Sequence, residues 1–216
     1  TVQIGRYEVL RQEAAVPCQV VGPPRLRTAM ARAFADQPRM IDLFEELFGP
    51  YPFTAGYTAV VTDDDLEIPL EAQTLSTFGA NFTDRKWESQ RLIAHELAHQ
   101  WWGNSLTVSQ WSDIWLHEGF ACYAEWLWSP VATSRSTDSW VAHHWTRLSR
   151  LPQDLVLGDP GPKDMFDDRV YKRGALTLAA IRAELGDDLF FTLLRTWGAR
   201  YAHCVVSPAD FESLTA

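Results

Sequence analysis

Residues 88–104, ESQRLIAHELAHQWWGN, decide the reading of this chain. His95 and His99 stand four positions apart, so on an α-helix their imidazoles project within about 40° of each other and can reach one ion. The surrounding LIAHELAHQWW is so apolar that two imidazoles and the Glu96 carboxylate would be costly to bury there unpaired. Metal ligation accounts for them and core packing does not. Zinc suits neutral imidazole nitrogen, and a catalytic zinc site takes three protein ligands while leaving a fourth position open. The third ligand is expected in residues 114–126, IWLHEGFACYAEW, where Glu118 follows His99 after 18 intervening residues. That interval holds a turn after Gly103, a crossing segment and a second helix returning antiparallel to the first. The spacing therefore predicts one Zn2+ per chain, held by His95, His99 and Glu118.

The neighbours of these residues suggest the chemistry. Glu96 adjoins a ligand on the same helix and is placed to take a proton from water whose pKa zinc lowers to about 7. The same carboxylic acid can hand that proton to a departing amine, so the reaction class is metal-assisted amide hydrolysis with Glu96 as general base and acid. Glu125 lies seven residues beyond Glu118, on the same helix face, and is expected to accept the free ring N–H of a ligand histidine; Asp113 is the weaker candidate. His117 is excluded as a ligand because adjacent helix positions face different ways, and it reads as a satisfied, partly exposed histidine. His143, His144 and His203 read as surface or packing residues. The ten tryptophans, among them Trp101, Trp102, Trp111, Trp115, Trp126 and Trp128, read as core.

Outward from the motif, residues 1 to about 75 mix short β-rich runs, QIGRYEVL and GYTAVVTDD, with one amphipathic stretch from Pro24 to Leu47 that ends at Gly49-Pro50. Beyond Thr83 the pattern turns helical. Helices are expected from about Asp84 to Trp102, from Ser112 or Asp113 to just before Ser129-Pro130, and over about 137–150, 170–185 and 188–202. A Pro/Gly/Asp-rich loop from Leu151 to Asp168 separates the last three. Ser207-Pro208-Ala209-Asp210 reads as an N-cap with proline at the first helical position, and the chain is expected to stop inside a larger protein. With 216 residues, 46% hydrophobic, the chain can bury a core as a single domain over 1–216, with an α/β lobe to about residue 82 and a helical lobe from about 83.

Charge and cysteine usage narrow the partners. There are 19 basic against 28 acidic residues, a net charge of −9, and no Lys/Arg-rich run, which argues against nucleic acid. Cys18, Cys122 and Cys204 are too few and too far apart for a disulfide framework, so a reducing, cytoplasmic setting is expected. No apolar run approaches the roughly 20 residues of a membrane helix, and TVQIGRYEVL lacks the regions of a signal peptide.

HELAHQWWGN (95–104), WLHEGFA (115–121) across the 18-residue gap, and VYKRGALTLAAIR (170–182) together resemble the gluzincin aminopeptidases, the aminopeptidase N and leukotriene hydrolase family. The resemblance extends more loosely over 40–205. It implies an α+β, thermolysin-like catalytic domain with the zinc helix at the junction of the two lobes, and without the flanking β and helical domains of the family. It further implies that Tyr171 stabilises the oxyanion of the tetrahedral intermediate. Arg173 stands where the family usually has lysine, and His117 where it commonly has asparagine. The family's Gly-x-Met-Glu-Asn strand has its counterpart in IPLEA (68–72), where only Glu71 survives, and Glu71 would bind the substrate's free α-amino group. The implied activity is that of a zinc aminopeptidase acting on peptides with a free amino terminus. The alternatives are a thermolysin-like endopeptidase, if Glu71 does not cap the cleft, or a zinc-binding domain inactive without its neighbours.

Overall fold

A computed structural model describes residues 2–215. Near the amino end, β1 (Glu8–Gln12), β2 (Cys18–Gly22), β3 (Tyr57–Val61), β4 (Leu70–Ala72) and β5 (Leu75–Phe78) form one sheet in the order β1-β2-β3-β5-β4. The inner pairs β2–β3 and β3–β5 are parallel, with Val20 opposite Ala59 and Val61 opposite Phe78; the edges β1–β2 and β4–β5 are antiparallel. A parallel pair requires a crossover, and two helices, α1 (Arg27–Ala33) and α2 (Gln37–Phe48), supply it between β2 and β3. The single amphipathic stretch expected from Pro24 to Leu47 is thus broken. Pro38 cannot sit inside a continuous helix, where it would remove a hydrogen bond and clash with the preceding turn. It falls instead in the first turn of α2.

The helices that carry the motif follow: α3 (Trp87–Ala98), α4 (Trp115–Thr133), α5 (Thr137–Leu148), the short α6 (Gly161–Asp164), α7 (Asp168–Leu185), α8 (Asp187–Arg200) and α9 (Pro208–Thr215). Two-residue strands β6 (Thr107–Val108) and β7 (Val205–Val206) pair in parallel, so this half is not wholly helical. α3 ends at Ala98, not at Trp102, because the chain tightens through turns toward Gly103, whose φ of 135° suits glycine. α4 overruns its expected end and continues through Pro130. Proline has no N–H for the carbonyl of Trp126, and the hydroxyl of Thr137 donates to that oxygen instead, at 3.0 Å. α9 begins as the sequence suggested, with Asp210 Oδ2 accepting from Ser207 N (2.8 Å) and Ser207 Oγ (2.7 Å).

Aromatic side chains fill the space between sheet and helices: Trp101, Trp102, Trp126, Trp128 and Trp197 are buried with Phe44, Phe78 and Phe120. Trp111 and Trp145 depart from the expectation of a tryptophan core, at 63% and 68% exposed. Trp145 sits on α5, whose other face meets the interior through His144 and Leu148. α7 crosses α4 in direct backbone contact, since a Cβ on Gly174 would lie 2.7 Å from the Cα of Gly119. The three cysteines are free, and among the described residues no helix is long and apolar enough to cross a membrane.

Candidate active site

The last turn of α3 presents His95, and His99 caps its end. Their rings stand 4.7 Å apart between centroids, and α4 brings Glu118 against both. Glu118 Oε2 lies 3.2 Å from His95 Nε2 and 3.5 Å from His99 Nε2. One nitrogen from each histidine and one carboxylate oxygen lie within 4.8 Å of one another, and all three residues are buried.

The outer ring nitrogens are fixed from behind. His95 Nδ1 donates to Glu125 Oε1 at 2.8 Å, and Arg91 Nη1 reaches the other oxygen of Glu125 at 3.2 Å. His99 Nδ1 donates to the carbonyl of Trp102 at 2.9 Å. Glu125 therefore takes the role expected of it, and Trp102 O takes the one for which Asp113 was the weaker candidate. With Nδ1 committed as a donor, each Nε2 turns its lone pair inward unless a second proton occupies it. His95 has a carboxylate oxygen at both nitrogens. Burial pushes its pKa down, but the hydrogen bonds to Glu118 and Glu125 win and lift it to about 10. Burial pushes Glu118 up, and the neighbouring His99 and His95 hold it well below the usual carboxylate range. Two imidazole nitrogens and one carboxylate converge on a place that calls for positive charge, which a divalent cation of zinc's ligand preference fits.

Glu96 adjoins this cluster with a different environment. Its Oε2 is buried without a hydrogen-bond partner, and burial raises its pKa to about 7 against the opposing influence of His95 and His99. A carboxyl held near neutrality with a free oxygen is suited to accept and release a proton. Tyr171, in the first turn of α7, lies with its ring 22° from the plane of His95 at 6.0 Å. Burial, followed by the charges of Glu118, Glu71 and Glu96, drives its phenol upward, so it remains a hydrogen-bond donor.

Glu71 arrives from the sheet. The carbonyl of Glu71 accepts from Asn104 Nδ2 at 2.8 Å, and Gln100 bridges Thr74 N (2.7 Å) and Ala72 O (3.3 Å), so the residues just past α3 grip the β4–β5 turn. The Glu71 charge reaches Glu96, His99 and Tyr171, and no ion pair engages it among the described residues. His117 departs from expectation by being buried: its Nε2 accepts from Val108 N at 2.9 Å, and burial lowers its pKa to about 4. His144 packs between Trp126 and Trp140, and His143 and His203 are exposed. Arg91 was overlooked in the sequence, although it stands one helical turn before His95 and so shares its face.

Residues 33–215 match the Peptidase family M1 domain. This chain belongs to that family. The M1 relatives include aminopeptidase N of Mus musculus, 36% identical over 112 residues that take in 46% of this chain and 12% of that protein. They also include a leucyl aminopeptidase of Saccharolobus solfataricus, 28% identical over 210 residues, 87% of this chain and 26% of that one. A mutant M1 zinc metallopeptidase of Deinococcus radiodurans, solved with a Tyr-Ser-Ala substrate, superposes with a TM-score of 0.85 at 30% identity. That match covers 97% of this chain and 48% of the other. The M1 chain described here thus spans about a quarter or less of those two curated relatives.

Proposed function

We propose that residues 1–216 form the catalytic domain of a zinc aminopeptidase in which His95, His99 and Glu118 hold the metal. The observation that carries this reading is the pairing of a buried two-nitrogen, one-oxygen donor set with the unpartnered Oε2 of Glu96 beside it. The zinc named for the Deinococcus radiodurans relative, and the peptide bound to its mutant, support the same chemistry.

When bound, zinc supplies Lewis acidity that polarises a carbonyl oxygen and makes water nucleophilic near neutral pH. Glu96 Oε2 takes a proton from the attacking water. It then releases that proton to the nitrogen of the departing amine, so water and one peptide bond become a carboxylic acid and an amine. The Tyr171 hydroxyl donates a hydrogen bond to the negative charge that develops on the carbonyl oxygen. Glu71 pairs with the substrate's α-ammonium and so sets the scissile bond one residue from the amino end. Glu125 and the Trp102 carbonyl hold the two imidazoles in the orientation this requires.

The test is metal content measured on wild type and Glu118→Ala, with hydrolysis of a panel of amino-acyl amides on the same samples. One zinc per chain, lost in the variant, with chelator-sensitive release of the amino-terminal residue, is the expected result. Absence of zinc from the wild type sinks the proposal, and cleavage confined to amino-blocked peptides replaces it with an endopeptidase.

A further inference from the structure

The turn between β4 and β5 holds Thr74 at a φ of 60°. That left-handed region suits glycine or asparagine. A β-branched residue enters it at a cost and stays only where its surroundings hold it there. Gln73 and Thr74 make up the whole loop, since Ala72 already stands opposite Leu75. Both peptide groups of Thr74 are engaged: its N–H donates to Gln100 Oε1 at 2.7 Å, and its carbonyl accepts from Thr58 N at 2.9 Å.

Gln100 follows the proposed ligand His99 directly and is fully buried. Its amide is used at both ends, because Nε2 donates to Ala72 O at 3.3 Å while Oε1 accepts from Thr74. Turning the amide over would set donor against donor and acceptor against acceptor, so the two partners fix its orientation. Two further bonds join the same pieces of chain. Asn104, whose N–H is held by His99 O at 2.9 Å, donates from Nδ2 to Glu71 O at 2.8 Å. Ser76, opposite Glu71 on β5, donates from Oγ to Glu96 O at 3.4 Å. β4 needs such ties, because it is three residues long, lies at the sheet edge and pairs with β5 alone among the described residues. We propose that Gln100 is a positioning residue for Glu71: it holds the Gln73-Thr74 turn in its left-handed conformation and, with Asn104, fixes how far β4 stands from the segment that carries His95 and His99. The gap between the Glu71 carboxylate and the metal would then decide which peptide bond lies within reach. This deepens the peptidase reading and rests on it.

The experiment is a double-mutant cycle on the full chain, Gln100→Met, Thr74→Gly and both together. kcat and KM are measured on amino-acyl amides and on amino-blocked peptides, with zinc content and urea denaturation recorded on the same proteins. Gln100→Met fills similar space without either hydrogen bond. It is expected to keep its zinc and to raise KM for amino-acyl amides by about 3–10-fold, with kcat within about threefold of wild type. The preference for free over blocked amino termini is expected to shrink by a similar factor. Glycine takes a φ of 60° without steric cost, so adding Thr74→Gly to Gln100→Met is expected to restore that preference by at least about twofold. Gln100→Asn, one methylene too short to span both groups, replaces the methionine variant if that does not fold. Wild-type KM and preference in Gln100→Met, equal losses on free and blocked substrates, or urea effects that simply add in the double variant overturn the inference. A wild type that cleaves no amide but shows non-additive urea stability between Gln100 and Thr74 sinks the peptidase proposal while supporting the hold of Gln100 on the turn.

Discussion

Glu96 and Glu71 are two carboxylates near one cluster, and the proposed mechanism gives them separable duties. Glu96→Gln keeps the shape and removes the proton carrier, so kcat is expected to fall by about 10²–10⁴-fold while zinc content stays at the wild-type level. Stopped assays beside elemental analysis check this; activity within tenfold of wild type would show that another group moves the proton. Glu71→Gln removes the charge proposed to pair with the substrate's amino end. KM for amino-acyl amides is expected to rise by roughly 10-fold or more, with less effect on kcat, and the preference for free over blocked amino termini is expected to shrink. Equal losses on both kinds of substrate would relocate the ammonium pocket. The grouping of the two histidines with Glu118 was legible in the sequence because a shared ion would impose a spacing on a helix, four residues in one case and a return segment in the other. Tyr171 and Glu71 came only with a family resemblance, since they reach the cluster from α7 and from β4 and no local period connects them to it. The carbonyl of Trp102 was illegible, because every residue carries one and only the tight turn before Gly103 aims it at His99.

At the scale of elements, the crossing of α4 and α7 decides whether Glu118 and Tyr171 meet. Gly174→Ala would raise intrinsic helix propensity by about 1 kcal/mol, yet its Cβ would fall 2.7 Å from the backbone of Gly119, which cannot move aside as a side chain does. The helices must separate, and a net destabilisation of about 1–3 kcal/mol is expected by urea denaturation. Activity is expected to fall further than folding does, because Glu118 adjoins Gly119 and Tyr171 stands one turn before Gly174. A variant as stable as wild type would mean the two helices do not touch there. Helix positions were largely readable from apolar periodicity and from Gly and Pro punctuation. Two of the misses share a cause: Pro38 divides α1 from α2, whereas Pro130 fails to end α4, because Thr137 Oγ1 satisfies the carbonyl that Pro130 abandons. Proline reports a missing donor, and only the tertiary structure says whether another donor replaces it.

At the scale of the whole molecule, the proposed ligand set draws on two helices and would make the metal part of the fold. Free zinc at 1,000 times its Kd would add about 4 kcal/mol to stability, and a chain of this size shifts by roughly 2–4 °C per kcal/mol. Chelation is therefore expected to lower the Tm by roughly 10 °C, reversibly on zinc addition, and a shift below about 2 °C would place the ion outside the core. The response to acid has a different origin. His144 is packed between Trp126 and Trp140 with its Nδ1 unpartnered, and burial, reinforced by Lys172, Arg147 and His143 against the opposing charge of Asp168, lowers its pKa from 6.5 to about 4. Above pH 6.5 the ring is neutral in both folded and unfolded chains and contributes no pH dependence. As pH falls from 6.5 to 4 the unfolded chain takes up a proton that the folded chain refuses, so stability declines through that window and levels off below it. At about 1.4 kcal/mol per unit of pKa difference, reduced for solvent near the ring, the decline attributable to His144 is on the order of 2 kcal/mol. His144→Phe keeps an aromatic ring between the two tryptophans and removes the titration. Urea denaturation of wild type and variant at pH 7.5 and at about pH 4.5 isolates the effect, because every other titrating group is common to both. The stability difference should move in favour of the phenylalanine variant as the pH drops, and parallel curves across the window would assign the acid sensitivity to groups other than this ring.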